Sequence, residues 1–283
     1  MKINNEWKDY QIIATGDGEK LERWKDVVLL RPDPQVIWHA QKPLHTIVRP
    51  DARYLRSSTG GGHWEYNRKI PDEWKVSWRD LTFSVKPMGF KHTGLFPEQA
   101  ANWAMMIDLI KNANRPINVL NLFAYTGGAT LAAKAAGADV THVDSVKQVV
   151  TWSRENMERS GLEGVRWIVE DALKFVNREV RRGNRYDGII LDPPAYGRGA
   201  NGEKWVLEEN IGEMLECCAK LLDPDKGFLV LNLYSMGLSA LLSRTALRQA
   251  FGSTGKEEAG ELYFADRNGK ELPLGTFCRF TRK

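Results

Sequence analysis

The chain has 283 residues, of which 42% are hydrophobic, 27% charged and 10% aromatic, and its formal net charge is +4. This composition is typical of a globular protein and excludes a disordered, collagenous or coiled-coil chain. The apolar runs are far shorter than the roughly 20 residues of a membrane span, and the first residues lack the apolar stretch of a signal peptide. Three cysteines are too few for a disulfide framework, and no Cys or His spacing suggests a metal site. We therefore expect a reduced, soluble, cytoplasmic protein without a membrane or metal partner.

Charge and tryptophan concentrate in the N-terminal third of the chain. Residues 1–97 hold 16 Lys+Arg against 12 Asp+Glu, whereas residues 98–283 hold 24 of each. Six of the ten tryptophans also lie there: Trp7, Trp24, Trp38, Trp64, Trp74 and Trp78. Basic residues among aromatic ones suit nucleic acid, because cations neutralise phosphates and aromatic rings stack on bases. The alternative is that these tryptophans form the core of a small β domain.

The predicted elements change in type along the chain. Residues 1–90 contain short β segments between turns, with alternating strands at 74–78 and 81–85. Residues 97–112 are predicted to be a helix that Pro116 ends. From residue 117 onward, strands alternate with helices. The predicted strands are 117–124, 139–143, 165–169, 188–191 and 227–233, and the predicted helices are 127–136, 146–160, 172–181, 203–222 and 239–251.

This alternation predicts an α/β fold with a Rossmann-like, doubly wound, mostly parallel sheet. An antiparallel pair at 261–264 and 276–280 completes seven strands, so the last strand is antiparallel. The N-terminal region adds a small β-rich domain. The predicted organisation is a β-rich substrate- or RNA-binding domain at 1–90, a linker and helix at 91–112, and a cofactor-binding domain at 113–283.

Acidic residues follow three successive strands of the predicted sheet. Asp144 and Asp192 come directly after a strand, and Glu170 with Asp171 follows a third, where α/β sheets bind their ligands. Gly127 and Gly128 follow the first strand and would let the backbone approach a ligand, although tight packing of strand on helix is an alternative. The turn is neither a dinucleotide fingerprint nor a P-loop. An adenosine cofactor without phosphates fits best, which indicates S-adenosylmethionine.

Four segments along this edge carry a family resemblance. They are Leu120-Asn-Leu-Phe-Ala-Tyr-Thr-Gly-Gly-Ala-Thr130, Thr141-His-Val-Asp-Ser-Val-Lys147, Glu170-Asp-Ala-Leu-Lys-Phe-Val176 and Tyr186-Asp-Gly-Ile-Ile-Leu-Asp-Pro-Pro-Ala-Tyr-Gly-Arg198. Together with Lys91-His-Thr-Gly-Leu-Phe-Pro-Glu-Gln99, they resemble the class I S-adenosylmethionine-dependent rRNA large-subunit methyltransferases. That family includes 5-methylcytosine and 7-methylguanine enzymes. The resemblance covers residues 80–283, and no RNA-binding module of the PUA type is recognisable.

The resemblance implies roles for individual residues. The turn Phe123, Ala124, Tyr125, Thr126, Gly127 and Gly128 would cradle the methionine part of the cofactor. Asp144 with Ser145 would hold the ribose, and Asp171 with Ala172 the adenine. Asp192, Pro193 and Pro194 would line the passage between sulfonium and target. Tyr196 would stack on the target base, unless it packs on the following helix, and Gln99 would close over the cofactor.

The cysteines bear on which atom is methylated. Methylating cytosine C5 requires a cysteine that first attacks the ring. The stretch 231–237 after the fifth predicted strand contains no cysteine. We interpret Cys217, Cys218 and Cys278 as small core residues. Methylation of a nitrogen or a ribose oxygen needs no such nucleophile, so we expect that chemistry.

The sequence therefore predicts a methyltransferase that acts on an RNA base, with ribosomal RNA as the expected partner. Two alternatives stay open: a methyltransferase of a protein or small molecule, and a non-catalytic RNA-binding protein with a vestigial pocket. The oligomeric state is also open. A second basic cluster, Arg178, Arg181, Arg182 and Arg185, is either part of an RNA surface or a solvated helix face.

Overall fold

The structure, a computed structural model, describes residues 1–3, 6–57, 61–199, 202–234, 237–253 and 255–282. By compactness the chain forms two units. The small unit comprises Ile3–Glu98 and Tyr263–Leu274, and the large unit comprises Met1–Lys2, Gln99–Leu262 and Gly275–Lys283. The small unit thus contains a second, distant segment of the chain, and the three domains proposed from the sequence stay a prediction.

A five-stranded sheet forms the centre of the small unit. Its strands, in spatial order, are β1 (Tyr10–Gly16), β2 (Glu19–Trp24), β3 (Val27–Pro32), β4 (Ala52–Arg56) and β5 (Gly62–Tyr66). Neighbouring strands are antiparallel, except that β3 and β4 are parallel. A short helix, α1 (Leu44–Ile47), packs Leu44 on one face. A separate hairpin, β6 (Trp74–Trp78) and β7 (Leu81–Val85), shows the predicted alternation.

Tryptophans build the core of the small unit. Trp24 and Trp78 are fully buried, and Trp7 and Trp74 are only 8% exposed. The Trp74 indole donates to the Trp24 carbonyl over 3.1 Å. The rings of Trp24 and Tyr10 lie 4.6 Å apart, edge to face. The interpretation of these four tryptophans as a stacking platform for bases is therefore wrong, because aromatic packing removes their faces from solvent.

The large unit is built on the predicted seven-stranded sheet. Its strands are β8 (Asn118–Leu122), β9 (Asp139–Asp144), β10 (Val165–Val169), β11 (Gly188–Leu191), β14 (Phe228–Leu233), β15 (Gly255–Ala265) and β16 (Glu271–Arg282). Between β11 and β14 in the chain, β12 (Tyr196–Arg198) and β13 (Lys204–Val206) form a separate two-stranded hairpin. The spatial order is β10-β9-β8-β11-β14-β16-β15, and β16 runs antiparallel to β14. The central strands are continuous apolar runs, as expected where helices cover both faces. The predicted fold class is confirmed.

Six helices accompany this sheet. They are α2 (Ala100–Asn112), α3 (Gly128–Ala135), α4 (Lys147–Arg159), α5 (Ala172–Arg181), α6 (Leu207–Leu221) and α7 (Ala240–Phe251). The predicted helix 203–222 begins too early, because β13 occupies residues 204–206 and pairs with β12. Its Trp205 is buried with the residues of the main core, and this burial favours the extended form over another helical turn.

Candidate active site at the carboxyl edge of the sheet

The structure brings most of the predicted site residues to one edge of the large sheet. β8, β9, β10, β11 and β14 are parallel, so their carboxyl ends meet at that edge. The turn 123–128 follows β8, Asp144 and Ser145 end β9, Asp171 and Ala172 start α5 after β10, and residues 192–196 follow β11. Gln99 lies at the start of α2 and accepts a hydrogen bond of 3.0 Å from the Asn102 side chain.

The turn 123–128 is held in an unusual backbone conformation. Phe123, Tyr125 and Gly127 have φ values of 55°, 50° and 89°, all in the left-handed region. Two such residues are not glycine, and that conformation is costly for them unless the surroundings hold it. The Asn156 side chain supplies one constraint, since it donates to the Thr126 carbonyl over 3.0 Å. The turn is thus fixed before any ligand arrives.

Packing against two helices explains the two glycines of the turn. A Cβ atom on Gly127 would lie 2.0 Å from Ser153 Oγ of α4, and one on Gly128 would lie 2.4 Å from Trp103 Cζ2 of α2. Real Cβ atoms do not approach other atoms so closely, so both positions require glycine. Close packing of the turn against α2 and α4 is therefore sufficient to explain why residues 127 and 128 are glycines.

Asp144 ties the end of β9 to the turn. Its Oδ2 accepts the Tyr125 backbone amide at 2.9 Å, and its Oδ1 accepts the Val146 amide at 3.0 Å. Burial raises the pKa of Asp144, while these backbone hydrogen bonds act in the opposite direction. Two apolar side chains beside it are solvent-exposed: Val146 by 40% and Val169, its β10 neighbour, by 49%.

Asp171 caps the N-terminus of α5. Its Oδ1 accepts the Lys174 backbone amide over 2.9 Å, which is the usual role of an N-cap carboxylate. Its neighbour Glu170 forms a 2.5 Å ion pair with Arg178, and Ala172 is buried. The cap fixes the direction of the Asp171 carboxylate, whose Oδ2 accepts no hydrogen bond within the described part of the chain.

Asp192 and Asn232 form a polar pair where β11 and β14 end. The Asn232 side chain donates to Asp192 Oδ1 over 2.8 Å. Asp192 Oδ2 has no hydrogen-bond partner among the described residues, and neither has the buried Asn232 Oδ1. Burial raises the pKa of Asp192 to about 6, and the Asn232 hydrogen bond opposes this only in part. The Asn232 hydrogen bond therefore fixes the orientation of the Asp192 carboxylate, and its raised pKa lets it take a proton near neutral pH.

The hairpin of β12 and β13 follows directly. Trp205 anchors it: the indole donates to the Pro194 carbonyl over 2.7 Å, and its ring centre lies 4.7 Å from that of Phe123. Tyr196 is 51% exposed and receives a 2.7 Å hydrogen bond from Arg198. Its ring is exposed rather than packed on the following helix, so the packing alternative does not describe it. Pro193, between Asp192 and Pro194, is buried.

The three cysteines are buried inside the fold. Cys217 and Cys218 are buried in α6, and Cys278 is buried in β16 opposite Leu231. Burial raises the pKa of all three thiols, that of Cys278 to about 11. A thiol in this state is a poor nucleophile.

Three of the four arginines near α5 are engaged within the chain, and the fourth, Arg181, is solvent-exposed. Arg178 pairs with Glu170, Arg182 with Glu179 at 3.3 Å, and Arg185 donates to a backbone carbonyl of α6. Arg178 reaches back to Glu170 beside Asp171, whereas Arg181 and Arg182 lie at the opposite, C-terminal end of α5. The solvated-face interpretation therefore describes the cluster better than an RNA surface beside the site.

Sequence reasoning missed three side chains that shape the site: Asn232, Trp205 and Asn156. Asn232 lies inside the apolar run of β14, and only the sheet register places it beside Asp192. Trp205 was assigned to a helix. Asn156 lies on α4, thirty residues from the carbonyl that it holds. Only Asn232 could have been found from the sequence, because it is the one polar residue in the otherwise apolar strand β14.

A metal-binding cluster and a membrane-spanning helix are both absent from the described residues. No group of three or more His, Cys, Asp or Glu side chains is placed there to hold a metal ion. No helix in those residues is long and apolar enough to cross a membrane.

Comparison with known proteins gives consistent results. The S-adenosylmethionine-dependent methyltransferase family matches residues 28–262. The crystal structure of an S-adenosylmethionine-dependent methyltransferase from Agrobacterium tumefaciens is 37% identical, with a TM-score of 0.93 over 99% of this chain and 93% of that one. Two proteins named ribosomal RNA large subunit methyltransferase K/L are also similar. The one from Shewanella frigidimarina is 33% identical over 147 residues, and the one from Magnetococcus marinus is 32% identical over 155 residues. These matches cover 50% and 53% of this chain but only 20% of each relative.

Proposed function

Because this chain belongs to the S-adenosylmethionine-dependent methyltransferase family, we propose that it methylates a nitrogen of an RNA base, without a cysteine nucleophile. Support for RNA comes from the names of the two K/L relatives, of which the chain matches a fifth of the length. Ribosomal RNA is the substrate that those names suggest. On this proposal the protein works in the cytoplasm.

The side chains at the edge suit the adenosine half of the cofactor. Asp144 accepts the Tyr125 and Val146 backbone amides and keeps further lone pairs, to which ribose hydroxyls would donate. Asp171 Oδ2 would accept from the adenine amino group, with Ala172 against the ring. The exposed Val146 and Val169 would cover the ring faces, since an apolar pocket with few directed polar groups is typical of cofactor sites.

The turn 123–128 and the helix after it suit the methionine half. The N-terminus of α3 presents backbone amides that favour a carboxylate. The left-handed residues fix where the amides of the turn point, so binding would require little rearrangement. Gln99, held by Asn102, would close the site from α2. When bound, S-adenosylmethionine supplies an activated methyl group together with its own leaving group.

Asp192 is the main support for a base nitrogen as the methylated atom. A base nitrogen that carries a proton, such as an exocyclic amine, must lose it when it gains a methyl group, and Asp192 Oδ2 is free to accept that proton. Asn232 holds the other oxygen and so directs the free one. With a pKa of about 6, Asp192 is mostly ionised at pH 7 yet basic enough to take that proton. Tyr196, exposed on β12, would stack on the base.

The buried cysteines support nitrogen over cytosine C5. Attack on C6 of cytosine needs a thiolate at the base, whereas burial holds Cys217, Cys218 and Cys278 protonated and inside the fold. The site would instead work by aligning nucleophile and methyl group and by excluding water.

The test is transfer of tritiated methyl groups from S-adenosylmethionine to RNA that lacks the native modification. Wild-type protein should label the RNA, and Asp192→Asn should abolish labelling while still binding the cofactor. Asp108→Asn, on the exposed face of α2, is the matched control and should label normally. Nuclease digestion would then identify the base and the methylated atom.

Two outcomes would contradict the proposal. If the wild-type protein labelled protein or small molecules but not RNA, its substrate would belong to another class. Labelled 5-methylcytosine would require a nucleophile that Asp192 does not provide.

A further inference from the structure

A loop of the small unit, residues 86–93, lies across one end of its five-stranded sheet. We call it the Lys91 loop. Two backbone hydrogen bonds close it, from Lys86 to Thr93 at 3.0 Å and from Met88 to His92 at 3.2 Å. Side chains of the sheet hold its tip. Arg31 Nη1 donates to the Lys91 carbonyl over 2.7 Å, and the Tyr54 hydroxyl donates to the Gly89 carbonyl over 3.4 Å.

Two charge pairs lie in the sheet beneath this loop. Lys20 on β2 is the register partner of Arg31 on β3. Arg31 binds Glu22 with both Nε and Nη2, and Glu22 is fully buried. Lys20 lies 3.0 Å from Asp33, which is also fully buried. Each of these two cations therefore has its own carboxylate, as buried charges require.

Two more cations at this end of the small-unit sheet, Lys91 and Arg56, have no carboxylate of their own as an ion-pair partner. The half-buried Lys91 ammonium forms no ion pair or hydrogen bond among the residues that the structure describes. Arg56 ends β4 on the sheet face that carries Tyr54, and it likewise has no ion-pair partner in the described residues. Four cations thus gather around two carboxylates, so the loop end carries an uncompensated positive charge.

The titration of the loop is consistent with this crowding. Burial lowers the pKa of Lys91 to about 8. Asp33 acts in the opposite direction, and the charges of Lys20, Arg31 and Arg56 lower it further. The same surroundings lower the pKa of His92 to about 4, again mainly through burial. His92 is therefore neutral at pH 7, and its ring nitrogens can take part in hydrogen bonds without adding charge.

We propose that Lys91 and Arg56 bind a phosphate group of the RNA backbone at the end of the small-unit sheet. A phosphate would supply the negative charge that the four cations lack, and Lys and Arg are the usual partners of phosphates. Phe90, next to Lys91, is 66% exposed and offers a ring face to a neighbouring base. The identity of the phosphate as RNA rests on the proposed function, whereas the anion site itself does not.

The first experiment measures thermal unfolding against inorganic phosphate, with chloride keeping the ionic strength constant. Phosphate should raise the Tm of wild type and of Lys75→Gln, an exposed lysine on β6 of the same unit. Lys91→Gln should lose that response. In phosphate-free buffer at pH 7 it should melt above wild type, because an uncompensated charge is removed. A Tm below that of wild type would show that Lys91 has a structural role. An unchanged phosphate response would show that Lys91 does not bind phosphate.

The second experiment identifies the source of the phosphate. Binding of single-stranded RNA is measured between 50 and 300 mM salt, and log K is plotted against log salt concentration. Losing one phosphate contact should reduce the slope of Lys91→Gln by about 0.7. Lys75→Gln should keep the wild-type slope. A slope unchanged in Lys91→Gln, with the phosphate response lost, would assign the site to a phosphorylated molecule other than RNA.

The two proposals fail separately. If wild-type protein labels RNA while Lys91→Gln keeps the phosphate response and the salt slope, the anion site is refuted and the methylation proposal stands. If wild-type protein does not label RNA, but its phosphate response disappears in Lys91→Gln, the methylation proposal fails and the anion site stands.

Discussion

Asp192 carries a free-energy cost that the folded protein bears at neutral pH. Its pKa rises from an ordinary 3.8 to about 6 in the folded state. Well below pH 3.8 the group is protonated in both the folded and the unfolded states and contributes nothing. As the pH rises from about 3.8 to 6, the unfolded carboxyl group ionises before the buried one, so stability falls by about 3 kcal/mol at most and stays at that level above pH 6. Functional sites commonly retain such a cost.

Replacing Asp192 with Asn should therefore stabilise the protein while removing activity. The amide keeps the shape of the side chain and can still accept from Asn232. We expect a gain of about 1–3 kcal/mol in the free energy of unfolding at pH 8, and less than about 1 kcal/mol at pH 4. Urea unfolding at the two pH values measures it, with Asp108→Asn as the control. A variant less stable at pH 8 would mean that Asp192 is structural.

Gly128 makes a second prediction about a single residue. A methyl group there meets Trp103 Cζ2 at 2.4 Å, so Gly128→Ala should lower the free energy of unfolding by about 1–3 kcal/mol. It should also weaken cofactor binding, because the turn must shift. The control is Gly212→Ala in α6, where a Cβ atom meets nothing within 4 Å. At that exposed position of a helix, alanine should stabilise by about 0.5–1 kcal/mol. Equal effects at the two positions would contradict the packing explanation.

At the scale of elements, the β12–β13 hairpin holds the segment after β11 in place. Trp205 is its anchor, since it binds the Pro194 carbonyl and packs on Phe123. Trp205→Phe keeps an aromatic ring at this position but leaves the Pro194 carbonyl without its donor, so we expect a loss of about 1–2 kcal/mol in stability. Activity should fall more than cofactor affinity, because Asp144 and Asp171 are untouched. Measuring kcat and the Kd for S-adenosylmethionine separates the two. A parallel loss of both would show that the hairpin supports the whole edge.

Elements of the large unit are predictable where glycines or acidic residues mark their ends. Strands 165–169 and 188–191 and helix 172–181 have the predicted bounds, because a Gly or an acid stands at or near the ends of each. The β12–β13 hairpin was missed, since backbone pairing across a short loop leaves no periodicity. The same limit applies to the site. The carboxylates follow strands and so could be found, whereas Asn232 is brought to Asp192 only by the sheet register.

At the scale of the whole molecule, stability in acid depends partly on a buried ion pair in the small unit. Although burial acts to raise the pKa of Glu22, the charges of Arg31 and Lys20 lower it to about 2. The folded state thus holds this carboxylate ionised below its ordinary value of 4.5. The resulting stabilisation, about 3 kcal/mol, is fully present above pH 4.5 and is lost as the pH falls towards 2.

Glu22→Gln tests this contribution. It leaves Arg31 buried without its charge partner, so we expect the small unit to lose about 3 kcal/mol at neutral pH. Hydrogen exchange of the β2 and β3 amides reports on that unit separately from the large one. Glu19→Gln, on the same strand, removes the more exposed pair with Arg53 and should cost less than 1 kcal/mol. If the two variants lose equal protection, the buried pair contributes no more than a surface one.

The divided course of the small unit affects how the protein is made. Its sheet is complete in sequence by residue 98, yet Tyr10 packs on Phe264, and Thr15 donates to Asp266 over 3.0 Å through its hydroxyl. At about 5–20 residues per second, a ribosome needs roughly 10–30 s to travel between those segments. During that interval the nascent chain exposes part of an aromatic surface. Chaperones that shield such surfaces should therefore bind this nascent chain early and leave it only when the last hairpin emerges.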